Sequence, residues 1–88
     1  MMTDVIQRFM KNGQIITLPR KEKDKIELLK LILADFNINK SYSEREVNEI
    51  LQKYYDDFVV LRRYLVDYAM LIRDKEGRHY WVNNGDDS

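Results

Sequence analysis

Eighty-eight residues make one small domain, near the lower size at which a chain folds without disulfides or metals. The complete absence of cysteine excludes a disulfide framework, a thiolate zinc site and a cysteine nucleophile, and suits a cytoplasmic protein. Fifteen basic residues against fifteen acidic ones count against tight nonspecific nucleic-acid binding, but leave room for a local basic patch.

In chain order, Thr3 is placed to cap a short first helix. Val5, Ile6, Phe9 and Met10 recur there at helical spacing, and Asn12-Gly13 would end it. The β-branched run Gln14 to Leu18 predicts one edge strand, closed by Pro19. From Lys21 to Phe36 the spacing predicts a helix with Ile26, Leu29, Ile32, Leu33 and Phe36 on its core face. Leu28 and Leu31 fall outside that stripe, so they are expected to meet the first helix or a partner protein. After the polar break Asn37 to Lys40, Ser43 and Glu46 form a capping box opening a third helix with Val47, Ile50, Leu51 and Tyr54 inward.

Asp56 or Asp57 is placed to cap a fourth helix running to about Ala69, close enough to the third to make a helix-turn-helix. Leu71-Ile72-Arg73 and His79 to Val82 flank a polar loop containing Gly77, which predicts a β-hairpin. The expected fold is therefore α+β and winged-helix-like. It has a helix-turn-helix followed by a hairpin wing over Leu71 to Val82, with a short N-terminal helix and edge strand before it. One domain is expected over residues 1–82, with a disordered tail at 83–88. No window approaches the roughly eighteen apolar residues of a membrane span, and the N-terminus has no leader pattern, so no membrane association is expected.

These elements carry a resemblance to a known family. Phe9 with Gly13, Leu18-Pro19, Tyr42-Ser43-Glu44, Glu46-Val47-Asn48, Ile50-Leu51, Asp57 with Leu61-Arg62-Arg63, Leu65 to Tyr68, and Gly77 with Tyr80-Trp81 are together similar to the prokaryotic domain of unknown function 2087. Members occur alone or as C-terminal parts of bacterial transcription regulators. The resemblance implies a role in regulation and supplies no catalytic residues.

Placing Leu61 at the centre of the core face of the fourth helix leaves Val59, Arg62, Arg63, Val66 and Asp67 on the opposite face. Arginines can bind guanine edges or phosphates, and valines can touch thymine methyls. Arg62 and Arg63, with Arg73, Lys75 and Arg78 near the hairpin, are thus candidate nucleic-acid contacts. The alternative is a protein-interaction or dimerisation surface using Val59, Val66, Leu28 and Leu31.

Tyr80 and Trp81 point to opposite strand faces, so one completes the core while the other covers the sheet or stacks on a single-stranded base. His79 has no partner residues for a metal site, and turn formation accounts for Asp56 and Asp57. No phosphate-binding glycine loop, nucleophile elbow or zinc-protease motif is present, so an uncharacterised small enzyme stands third behind these two readings, and no cofactor or metal is expected.

Overall fold

The computed structural model describes residues 2–83, with side chains from Ile6 onward. Its elements are α1 (Met2–Phe9), β1 (Met10–Lys11), β2 (Gln14–Ile15), α2 (Glu22–Leu33), β3 (Ser41–Ser43), α3 (Glu44–Gln52), α4 (Phe58–Asp67), β4 (Leu71–Arg73) and β5 (His79–Val82). Among the described residues the architecture is mixed α+β, with four helices and two small antiparallel sheets. The expected capping role of Thr3, the side chain of Val5 and the tail at 84–88 lie outside the described residues.

The first departure from expectation is at Asn12-Gly13. Both residues have positive φ, 55° and 79°, the twist that joins two strands by a tight turn. They link β1 to β2, with Met10 opposite Ile15 and Lys11 opposite Gln14, rather than ending a helix. The expected strand is correspondingly cut to two residues, Gln14–Ile15.

α2 buries Leu28, Leu29 and Ile32, with Phe36 just beyond its end. This stripe is rotated away from Ile26 and Leu33, which are only half-buried. Leu28 is consequently a core residue with no exposed surface, and its expected role as a protein-interface residue is wrong. Leu31 is half-buried against the core and lines a small apolar depression with Ile6 and Met10. α1 packs on α2, as the spare apolar face of α2 led one to expect.

α3 opens with the capping box foreseen in the sequence. The Glu46 amide donates to Ser43 Oγ (3.1 Å), and the Ser43 amide donates to Glu46 Oε1 (2.9 Å). The Ser43 amide bond is the main cause holding the Glu46 carboxyl below its ordinary range, with Lys40 assisting and desolvation opposing.

Asp57 precedes α4 in the capping position, but its side chain makes no capping hydrogen bond. At the other end Ala69 takes φ 59°, and the amides of Met70 and Ala69 donate to the carbonyls of Leu65 (2.8 Å) and Val66 (3.0 Å).

The larger sheet has the order β3-β5-β4. β3 has no counterpart in the sequence reading. It pairs Ser41, Tyr42 and Ser43 with Trp81, Tyr80 and His79, making β5 the central strand. Tyr80 and Val82 are buried, whereas Trp81 is exposed beside Ser41 and Ile72 on the outer face. Asn83, assigned to the tail from sequence, instead closes the domain. Its amide donates to Met70 O (2.9 Å) and its side-chain Nδ2 to Ala69 O (2.8 Å).

Candidate nucleic-acid interface

The position of α4 is set by Leu61 and Leu65, four residues apart and both fully buried. Their burial turns Val59, Arg62, Arg63, Val66 and Asp67 toward the space beside the larger sheet. There β4 and β5 contribute Arg73 and Tyr80, which are direct cross-strand partners. These seven residues line one open cleft of about 390 Å³. Three of the five basic candidates, Arg62, Arg63 and Arg73, are thus brought together from sequence positions up to eleven apart. Lys75 and Arg78 do not line the cleft and stand exposed on the hairpin loop that follows Arg73.

The three arginines are not equivalent. Arg62 is held by α3: Nη1 donates to Asn48 Oδ1, and Nη2 lies 3.7 Å from Glu44 Oε2. Its side chain is only 17% exposed. Glu44 Oε2 also accepts from the hydroxyl of buried Tyr80 at 3.5 Å, so a single carboxylate joins α3, α4 and β5. Arg63 and Arg73 are exposed and form no ion pair among the described residues. Sequence reading missed Glu44 and Asn48. They stand one helical turn apart on α3, a spacing that could have marked them as a pair facing a common cation.

The hairpin loop is shaped by Asp74. Its Oδ1 accepts from the amides of Arg78 (2.8 Å) and His79 (3.3 Å), while His79 Nδ1 lies 3.0 Å from Oδ2. Gly77 adopts φ 69°, which a side chain would strain, and a Cβ there would touch Arg73 Nη1 at 3.5 Å. The Arg73 guanidinium therefore lies alongside the loop that presents Lys75 and Arg78. His79 is a surface strand residue, as expected, but one engaged by this aspartate.

Of the protein-interface candidates, Val59 is 42% exposed and Val66 half-buried, both on the rim of the arginine cleft, while Leu31 lines a different depression. Among the described residues no group of three or more acidic or histidine side chains is arranged to hold a metal ion, and no helix is long and apolar enough to cross a membrane.

Fold and site together define a small mixed α+β domain with a cation-lined cleft between α4 and the β4-β5 hairpin. The chain belongs to the DUF2087 family, described as an uncharacterized protein conserved in bacteria, whose model matches residues 14–82. No curated protein and no solved structure matches it.

Proposed function

We propose that this is a winged-helix domain of bacterial transcription regulation that binds duplex DNA. In this reading α3 and α4 form the helix-turn-helix, α4 enters the major groove, and the β4-β5 hairpin is the wing. The order α2, β3, α3, α4, β4, β5 and the sheet order β3-β5-β4 support it, because together they set the last helix and the hairpin side by side. The observation that carries it is the meeting of Arg62, Arg63 and Arg73 around one cleft in a protein with no net charge. Balanced composition does not require such clustering, and a phosphate backbone is the ligand that rewards it.

Arg63, Arg73, Lys75 and Arg78 take the phosphate contacts, and Val59 contributes an apolar contact of the kind made to a thymine methyl. Asp67 on the same rim limits the affinity. The test is a salt titration of binding to a random-sequence duplex. Four phosphate contacts give a log–log slope of about −3.6. Arg63→Ala/Arg73→Ala should reduce its magnitude by about 1.8. A slope unchanged in the double variant, or no binding at all, would overturn the reading.

A second reading has its own observation. Ile72 and Trp81 are cross-strand neighbours on the outer sheet face, 36% and 37% exposed. They form an apolar surface suited to protein contact, including a second copy. Light scattering that finds a strict monomer, together with no shift in affinity on Trp81→Ser, would set this reading aside.

A further inference from the structure

Glu44 is the first residue of α3, where a carboxylate is favoured by the helix dipole and has no need of a tertiary partner. Its carboxylate nonetheless reaches across to Arg62 of α4 at 3.7 Å and to the Tyr80 hydroxyl of β5 at 3.5 Å. Arg62 lines the cleft with Arg63 and Arg73, yet among the described residues it alone of the three is paired with a carboxylate. Glu44 is 51% exposed, so the ion pair is solvated at its acidic end, while Arg62, 17% exposed, keeps Asn48 as a second partner when the carboxylate lets go. Guanidinium offers five donors in a planar fork, and the engagement of Arg62 with Asn48 and Glu44 leaves some of them unused.

A carboxylate near a guanidinium at the wall of an anion cleft presents the same chemistry as a phosphodiester group: two acceptor oxygens and one negative charge. We propose that Glu44 is an internal anion that competes with phosphate for Arg62, and so determines how strongly the cleft binds a phosphate-bearing ligand. The cleft then works with two arginines, Arg63 and Arg73, and holds Arg62 in reserve. The proposal deepens the DNA-binding reading by assigning Arg62 and Glu44 opposed roles. The phosphate could equally come from a free polyanion, so the test uses two probes.

Binding of a labelled random-sequence duplex is followed by fluorescence anisotropy across a salt series, and binding of tripolyphosphate by calorimetry. Wild type is compared with Glu44→Gln, Glu44→Asp, Glu49→Gln and Glu44→Gln/Arg62→Ala. Glu49 lies on the same helix, paired with Arg45 and outside the cleft, and controls for the mere loss of a negative charge. Glu44→Asp keeps the charge but shortens its reach, which covers the case of a Gln variant that fails to fold.

Glu44→Gln should steepen the DNA salt slope by about 0.9, one added phosphate contact. Glu44→Asp should move it in the same direction, Glu49→Gln should leave it unchanged, and the double variant should return to the wild-type slope. If wild type binds DNA but Glu44→Gln has the wild-type slope, the role of Glu44 is overturned and DNA binding stands. If tripolyphosphate binds more tightly to Glu44→Gln while no variant binds DNA, the role of Glu44 stands and the DNA reading falls. If neither probe binds wild type or Glu44→Gln, both fall.

Discussion

His79 Nδ1 lies 3.0 Å from Asp74 Oδ2, and the same carboxylate accepts the backbone amides of Arg78 and His79, so one acidic residue closes the hairpin loop. The His79 hydrogen bond is the leading cause that lowers the Asp74 carboxyl from 3.8 to about 2; desolvation opposes it, and the Arg78 and His79 amides and the His79 charge add to the lowering. A folded-state value below the unfolded one means that the stabilisation is present above pH 3.8 and is lost as pH falls towards 2. We expect amide exchange at Arg78 and His79 to accelerate over that acid window, and in Asp74→Ala at neutral pH. Exchange at both amides that is unchanged in the variant would show that the loop is held by something else.

The capping box of α3 gives a second expectation. Ser43→Ala removes the acceptor for the Glu46 amide at the start of a nine-residue helix. Loss of such a cap costs about 1 kcal/mol, or roughly 4–8 °C in Tm for a domain of this size. A calorimetric melt checks it, and a Tm indistinguishable from that of wild type would refute the assignment.

Ala69 supplies a third. It holds φ 59° at the end of α4, a conformation that costs an L-residue with a Cβ roughly 1–2 kcal/mol. Ala69→Gly relieves that strain while making the unfolded chain more flexible, for a net gain of about 0.5–1 kcal/mol. Urea unfolding measures it, and destabilisation would contradict the left-handed cap.

The fourth separates core from surface. Leu28 is 0% exposed and Val59 is 42% exposed. Leu28→Ala should cost about 2–5 kcal/mol, a large part of the stability of so small a domain. Val59→Ala should change stability by no more than about 0.5 kcal/mol while weakening DNA binding. Comparable losses from both would place Val59 in the core.

How much of this was legible follows from length and locality. The capping box at Ser43 and Glu46 is a signal within four residues, and the Gly77 loop lies between two apolar runs. Both could be read directly. The strands Met10–Lys11, Gln14–Ile15 and Ser41–Ser43 are two or three residues long, too short for alternation to register, and β3 exists only because β5 is there to pair with it. The rotated stripe of α2 depends on where α1 and α4 press upon it. Apolar residues at Ile26, Leu28, Leu29, Leu31, Ile32 and Leu33 nearly encircle the helix, so periodicity alone could not choose between Leu28 and Leu33. At the candidate site the arginines were visible as a cluster on one helix face and a hairpin. The Glu44 and Asn48 contacts that distinguish Arg62 from Arg63 are tertiary and leave only a faint four-residue spacing in the sequence.

The central claim is that α4 and the hairpin together form the DNA-binding surface. The most direct test is to map backbone amide shifts of the isotopically labelled protein as a random-sequence duplex is added. Shifts concentrated on Val59 to Asp67 and Arg73 to Arg78, and suppressed by raising salt, are the expected result. Shifts confined to the outer sheet face around Ile72 and Trp81, or absent throughout the titration, would contradict it.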